Sequence, residues 1–372
     1  MLILNLRYYI IKVMFAKKLL MKICAVFAVM FVFLSACNSG NELHFTAFNG
    51  TPVVVQSRNK PISDAVKTRI QDLLDDLNAE FSATLKTSTV YKINNSKAGD
   101  KTEISERFKN ITDVCRSMTD FTEGKFDISV YPLTLLWQFA PSFPVSVSHF
   151  VVPTADEIHA TLSVCGIDKF TFDDYAAKNT DGAKIDFGGA LKGYAADEIA
   201  TILKEEGINS GYVNVGGSSL NILSADNLSI IHPRKNGNIL SVKLKEKNLS
   251  VSTSGDYEKT YTLDGQTYSH IINPTSGYPI SGGVRGATVI GKNGLKLDAV
   301  STALCVFSHD FDIPENGELY KFIQKILSSE DFKDAQIFAI CIDGENKQIL
   351  TNKKQGEEFT LLDNDYTVIA VD

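Results

Sequence analysis

The chain shows no excess of positive charge, no cysteine spacing of a metal finger and no apolar run long enough to span a membrane comfortably. Its 372 residues hold 37 Lys and Arg against 44 Asp and Glu, a formal charge of −7. Residues 1–36 carry five of the basic residues and no acidic one, so without them the charge falls to −12. A nucleic-acid partner needs a basic footprint, and that balance excludes it. The six cysteines are scattered, at Cys24, Cys37, Cys115, Cys165, Cys305 and Cys341. None has zinc-ligand spacing, and the last four sit singly in apolar contexts, which predicts buried free thiols, with a disulfide still open in an oxidising compartment. The longest early apolar stretch, Ile23 to Leu34, falls short of the ~20 residues a membrane helix requires. No internal repeat and no low-complexity tract is apparent.

What is present begins with an export signal. Lys17, Lys18 and Lys22 precede the apolar run, and Ser35-Ala36-Cys37 follows it. A basic start, a short hydrophobic segment and small residues before a cleavage point mark a secretory leader. Leu34-Ser35-Ala36-Cys37 also resembles a bacterial lipobox, which makes Cys37 the expected lipidation site. The expected organisation is a leader over 1–36, a polar linker over 37–43 and one large domain over 44–372, which is ample length for a core.

Periodicity then sketches the domain. Thr51 to Gln56 reads as a strand. Ile62, Val66, Ile70, Leu73, Leu77 and Phe81 recur at helical steps behind Ser63 as N-cap. Ile104, Phe108, Ile111, Cys115 and Met118 give a second helix that stops near Gly124, and a Thr154/Glu157 capping box opens a third, closed at Gly166. Strands dominate afterwards, at 211–215, 228–232, 239–244 and 284–290, with helices after Gly193 and after Leu297 and a hairpin around Asp343-Gly344. Mixed helices and antiparallel strands without βαβ alternation predict an α+β fold, with largely antiparallel sheets and packed helices.

Three segments could carry chemistry. Asp186-Phe187-Gly188-Gly189-Ala190-Leu191-Lys192-Gly193 joins a strand end to a helix start through paired glycines. Such a turn lets backbone N–H groups approach an anion, and Lys192 adds charge suited to phosphate. Its spacing is neither a Walker A loop nor a dinucleotide fingerprint, and a tight structural turn explains it equally well. In the second segment Asp298 and Thr302 are i and i+4, projecting from one helix face opposite Val300, Ala303, Leu304 and Phe307. A carboxylate beside a hydroxyl is an oxygen-ligand pair of the kind Mg²⁺ takes. The plainer alternative is that Asp298 caps the helix and Thr302 faces water. The third segment runs from Ser269 to Pro279, where His270 ends a strand ahead of a Pro/Gly turn and could accept a proton.

In this order the segments resemble the FAD:protein FMN transferase family, the ApbE-like flavin transferases. The family's Asp-x-Gly-Gly-x-x-Lys-Gly-Tyr-Ala matches Asp186 to Ala195, and Asn-x-Gly-Gly matches Asn214 to Gly217. Thr-Ser-Gly-x-Tyr matches Thr253 to Tyr257, His-Ile-Ile-Asp-Pro-x-Thr-Gly matches His270 to Gly277, and Asp-Ala-x-x-Thr matches Asp298 to Thr302. Upstream, Gly124 to Asp127 is similar to Gly-x-Phe-Asp, and Phe81-Ser82 with Ser88 to Asn94 resembles an early flavin-side segment. The chain departs from the pattern at Asn273 (usually Asp), at Thr275-Ser276 (often Arg-Thr) and at Asn49 (commonly Met).

The resemblance implies an ApbE-like, T-fold-related architecture and transfer of FMN from FAD to a Ser or Thr hydroxyl of an acceptor protein, releasing AMP. It implies Mg²⁺ held by Asp298, Thr302 and the carbonyl of Gly189. It further implies that Asp186 and Lys192 contact FAD, that Lys125, Phe126 and Asp127 with Ile271 complete its pocket, and that His270 takes the acceptor's proton. Implied partners are FAD and flavoprotein subunits of extracytoplasmic or membrane redox complexes, with the enzyme anchored outside the cytoplasm as a lipoprotein. Hydrolysis of FAD to FMN and AMP, and a non-catalytic FAD-binding lipoprotein, remain the competing readings.

Overall fold

The computed structural model describes residues 42–141 and 150–372. The expected leader and the lipid site Cys37 lie outside the described residues. The first strand starts at Glu42, ahead of the expected domain start at 44.

A nine-stranded sheet organises the domain. Its strands are β1 (Glu42–Ala47), β2 (Thr51–Ser57), β3 (Gly211–Val215), β4 (Ser219–Ile222), β5 (Leu249–Gly255), β6 (Val284–Gly291), β7 (Gln336–Asp343), β8 (Asn346–Thr351) and β9 (Thr367–Ala370). They lie side by side in that order. Every pairing is antiparallel except the last, where β8 and β9 run parallel. Small two- and three-stranded sheets complete the β structure, so the largely antiparallel α+β expectation is met.

Eight α-helices are described: α1 (Asp64–Phe81), α2 (Thr89–Asn95), α3 (Glu106–Phe121), α4 (Tyr131–Leu136), α5 (Ala155–Leu162), α6 (Leu191–Glu205), α7 (Gly294–Val306) and α8 (Glu318–Ser328). Local chemistry explains their starts. Ser63 accepts the Val66 N–H at α1, and the Thr154/Glu157 box closes reciprocally at α5. In α1 the residues Val66, Ile70, Leu74, Leu77 and Phe81 are buried; the expected stripe is met except that Leu74 takes the core position assigned to Leu73, which with Ile62 is half-buried at its edge.

Both faces of the sheet are covered. Helices α1, α3, α6 and α7 contribute to the large core on one face. On the other, strands 226–231, 238–244 and 359–361 form a three-stranded sheet whose side chains pack on Leu220, Leu249, Val251, Ile290 and Phe338. Strand β5 shows the consequence. Leu249 and Val251 face the second core, while Ser250, Ser252 and Ser254 alternate onto the helix side, so a fully enclosed strand carries a row of hydroxyls. Among the described residues the cysteines are unpaired, Cys115, Cys305 and Cys341 buried and Cys165 half-buried, as expected of free thiols.

Helix α7 differs from its sequence reading. The expected two-sided helix is enclosed nearly all round, with Leu295, Leu297, Ala299, Val300, Ala303, Leu304 and Cys305 buried along with Asp298 and Ser301. It is wedged between the sheet and neighbouring helices, and only Lys296 and Thr302 among its residues stay half-exposed. Asn293, in a left-handed conformation, accepts the Lys296 N–H and caps the helix, a role Asp298 does not take.

Candidate functional site

The glycine turn is assembled by tethers from distant segments. Asn94 on α2 grips the backbone of Ile185 at both ends: its Nδ2 donates to the Ile185 carbonyl at 2.9 Å and its Oδ1 accepts the Ile185 N–H at 2.8 Å. One residue on, the Asp186 N–H donates to the Ile128 carbonyl at 2.8 Å, which ties in the segment after Gly124. Phe187 is driven into the core, edge-on to Phe81 and Phe108. With its flanks fixed, the turn closes on itself. The Gly188 N–H donates to Asp186 Oδ1, and Lys192 Nζ donates back to the Gly188 carbonyl, both at 2.8 Å. Burial pushes the Asp186 carboxyl above its usual range, while the Gly188 N–H and Lys192 pull the other way.

Helix α7 brings the second segment to the turn. A Cβ placed on Gly189 would lie 3.3 Å from Phe126 Cε2 and 3.7 Å from Thr302 Oγ1, so three of the expected site residues meet there. Thr302 Oγ1 also lies 3.1 Å from Ser254 Oγ. Asp298, 5% exposed, accepts the Gly193 N–H on Oδ2 at 2.7 Å and the Ser219 hydroxyl on Oδ1 at 2.8 Å. The first contact is informative. Helix α6 has no side-chain N-cap, and Gly193 carries one of its orphan first-turn N–H groups, so Asp298 caps α6 from another helix. Burial raises the Asp298 carboxyl, and Lys192 together with the nearby donors offsets part of that. The Ser252 hydroxyl stands close to the same carboxylate, buried and without a hydrogen bond of its own.

His270 sits at the strand end next to Lys259, whose carbonyl accepts the His270 N–H at 3.0 Å. Its Nδ1 is buried without a hydrogen-bond partner. Burial, then the charges of Lys259 and Lys192, push the imidazole down to about 4. Ile271 is buried beside it. In the turn that follows, Asn273 Oδ1 accepts the Thr275 N–H at 2.9 Å and the Ser276 N–H at 3.4 Å. An aspartate accepts the same bonds, so the departure at 273 preserves the turn while removing a charge.

Asp127 and Lys125 have partners of their own. The Asp127 carboxylate is taken up by the N–H groups of Ser129 and Ile167, at 2.7 and 3.3 Å. Lys125 Nζ stands 5.4 Å from the centre of the Phe307 ring at the end of α7. Asn49, in left-handed conformation, accepts from Thr84 Oγ1 at 2.6 Å and helps to line a cavity of about 420 Å³ with Phe48, Leu74 and Leu85. Sequence reasoning had Asn94 and Ser254 inside matched segments without a role of their own, and missed Ser219 and Glu258, the latter within electrostatic reach of Lys192, Lys259 and Asp298. A signal existed for the serines, because alternating Ser in an otherwise apolar strand points at a polar partner on one face.

The strand expected to end at Asp186 is not formed, the last strand before the turn being Tyr175–Lys178. Fold and site together define an α+β protein whose glycine-rich turn, at the start of one helix, meets a carboxylate and a hydroxyl on another. The chain belongs to the ApbE family, whose model matches residues 49–312. Among its relatives, the FAD:protein FMN transferase of Vibrio cholerae is 29% identical over 254 residues, covering 67% of this chain and 75% of the relative. That of Escherichia coli K12 is 30% identical over 256 residues, with 66% and 71% covered. The crystal structure of the ApbE protein from Thermotoga maritima superposes with a TM-score of 0.68 at 27% identity, over 82% of this chain and 94% of that one. The flavin transferase ApbE of Vibrio cholerae shares the fold with a TM-score of 0.70 at 23% identity, over 84% and 97%.

Proposed function

We propose that this protein transfers the FMN half of FAD to a Ser or Thr hydroxyl of an acceptor protein and releases AMP. The observation that carries the reading is the junction of Asp298 and Thr302 with the glycine turn, in a chain whose curated relatives are FAD:protein FMN transferases.

The residues present suit Mg²⁺. Asp298, Thr302 and the Gly189 carbonyl are a carboxylate, a hydroxyl and a carbonyl, all hard oxygen donors. The buried Asp298 carboxylate accepts from two neutral donors, and a buried charge so placed calls for a cation. Bound there, the ion would neutralise pyrophosphate charge and the charge that builds on the leaving AMP. The chain's own residues do the rest. Lys192, whose ammonium keeps donors beyond the one it gives the Gly188 carbonyl, would meet the anionic pyrophosphate, and Phe126 and Ile271 would supply apolar surface for the flavin side. His270 takes the proton of the acceptor hydroxyl as its oxygen attacks the FMN-side phosphorus, and the phosphorus–oxygen bond to AMP breaks.

The experiment is incubation of the protein with FAD, Mg²⁺ and a candidate acceptor, followed by mass spectrometry. An FMN adduct with stoichiometric AMP is expected. AMP without adduct would make the protein a pyrophosphatase, and FAD returned intact would make it a carrier. A base lowered to about 4 is neutral, hence competent, at every pH above roughly 5, and loses competence only as pH falls through 4. The single-turnover rate constant is therefore expected to be flat from about pH 5.5 to 8, without the inflection near 6.5 of an ordinary imidazole. His270→Ala is expected to lower it by about 10²- to 10⁴-fold; an unchanged constant removes His270 as base.

The same reading puts the enzyme outside the cytoplasm, tethered by lipid on Cys37 and acting on flavoprotein subunits at the membrane. The Lys17 to Cys37 pattern supports it. Cys37→Ser is expected to shift the protein from the membrane to the soluble fraction, and retention in the membrane would refute the anchor.

A further inference from the structure

One spacing occurs twice: Gly193-x-x-x-Asp197-x-x-x-Thr201 on α6 and Gly294-x-x-x-Asp298-x-x-x-Thr302 on α7. This short repeat escapes a reading by sequence alone, because glycine, aspartate and threonine at four-residue steps are ordinary on a helix. The structure gives it meaning. The helices touch backbone to backbone at the two glycines: a Cβ on Gly193 would lie 2.1 Å from the Gly294 oxygen, and one on Gly294 would lie 2.4 Å from the Gly193 oxygen. The bonds across this crossing are reciprocal. Asp298 Oδ2 accepts the Gly193 N–H at 2.7 Å, and Asp197 Oδ2 accepts the Gly294 N–H at 2.6 Å. Each aspartate therefore satisfies an orphan N–H in the first turn of the other helix. The sheet beneath serves both: Ser219 donates to Asp298, while Asn221, two residues along β4, and Ser250 on β5 donate to Asp197.

The two copies are nevertheless unequal. The Asp197 carboxylate receives three donors, and the Thr201 hydroxyl that follows it is turned back onto the Asp197 carbonyl. Asp298 receives two, and its Thr302 reaches Ser254 beside the glycine turn. The difference that matters is the threonine: Thr201 is spent on its own helix, whereas Thr302 stands at the glycine turn, so only the Asp298 copy presents a carboxylate and a hydroxyl there together.

We infer that Asp197 is a positioning residue for the Asp298 centre: by holding the Gly294 N–H it fixes the first turn of α7, and with it the depth and rotation at which Asp298 and Thr302 meet the glycine turn. This rests on the reading of Asp298 as a cation ligand. Gly294 and Asp298 are one helical turn apart, so a shift of the helix start is passed directly to the carboxylate. The donor geometry of Mg²⁺ is strict, which makes its affinity sensitive to such a shift.

The test is direct binding of Mn²⁺, followed by electron paramagnetic resonance and by calorimetry at a temperature where circular dichroism shows each variant folded. Asp197→Ala is expected to weaken Mn²⁺ binding by about tenfold, and Asp197→Asn, whose Oδ1 can still accept the Gly294 N–H, to recover to within about threefold of the parent. Ser250→Ala removes one donor to Asp197 but leaves the Gly294 bond, so it is expected to lower Tm while Mn²⁺ affinity stays within about twofold. If Asp197→Ala does not fold, Asp197→Ser, too short to reach the amide, replaces it. Parent-like Mn²⁺ binding by Asp197→Ala, or equal weakening by Ser250→Ala, overturns the inference alone. Undiminished binding by Asp298→Asn overturns the cation reading and the inference with it.

Discussion

Asp298→Asn is expected to lower FMN transfer at saturating FAD and Mg²⁺ by about 10³-fold or more while leaving the protein folded. The loss follows from removing the only charged member of the oxygen set formed by Asp298, Thr302 and the Gly189 carbonyl, a change that costs several kcal/mol in the transition state. The preserved fold follows from the two bonds that Asp298 makes. An asparagine can accept the Gly193 N–H through Oδ1 and donate through Nδ2 to Ser219, whose hydroxyl turns to accept. The charge itself is a burden in the absence of a cation. The buried carboxyl ionises above its ordinary 3.8, so the native state holds the proton longer than the unfolded chain and stability declines as pH rises through that interval. At neutral pH the metal-free variant is thus expected to melt at or above the parent. Added Mg²⁺ is expected to raise Tm of the parent only, since ligand binding to the native state stabilises it by mass action. Near-parental transfer by the variant, or an equal Mg²⁺-dependent rise in Tm, would remove Asp298 as ligand.

Gly193→Ala acts on the other side of the same contact, and its effect is on stability. The added methyl group would sit 2.1 Å from the oxygen and 2.4 Å from the carbonyl carbon of Gly294, atoms of backbone that cannot swing away as a side chain can. Helices α6 and α7 must then separate, which breaks the Asp298 and Asp197 bonds across the crossing and loosens the enclosed core around α7. Overpacking of this kind costs about 3 kcal/mol or more. For a domain of this size that corresponds to a fall in Tm of roughly 4–5 °C. Thermal unfolding followed by circular dichroism measures it, and a change below about 1 kcal/mol would show that the crossing is looser than the structure has it. Because helix propensity favours alanine over glycine, any stabilisation would be especially telling.

Much of the fold could be read from local pattern. The α1 stripe, the Ser63 cap, the Thr154/Glu157 box and the strand at 211–215 are set by side-chain period and by caps that act within four residues. The strands β1, β4 and β5 were missed, and so was α8, although Leu319, Phe322, Ile323 and Ile326 recur there at helical steps. In β5 the sequence Leu-Ser-Val-Ser-Thr-Ser-Gly alternates correctly and marks a polar partner on one face, but only the structure shows that partner to be side chains of α6 and α7, with Ser250 on Asp197 and Ser254 on Ser301 and Thr302. In helix α7 the Asp, Ser and Thr suggested a wet face, and the structure encloses Asp298 and Ser301 against the sheet and α6, with Thr302 half-exposed.

The site divides in the same way. The paired glycines, the Asp298/Thr302 spacing and His270 are visible in the chain because each depends on neighbours within one turn of backbone. What they do to one another is decided elsewhere. Asp298 belongs to the glycine turn because α6 and α7 cross at two residues without Cβ that lie far apart in the chain, and Asn94 anchors that turn from across the domain. By itself the sequence determined the α+β class and the residue types that meet at the site, the paired glycines, Lys192, and a carboxylate and a hydroxyl one turn apart, since these follow from composition and short-range period. Only the tertiary structure decided which aspartate stands with its threonine at the glycine turn and which braces the opposing helix away from it, because that depends on the crossing of α6 and α7 and on donors brought from β4 and β5, of which sequence spacing carries no record.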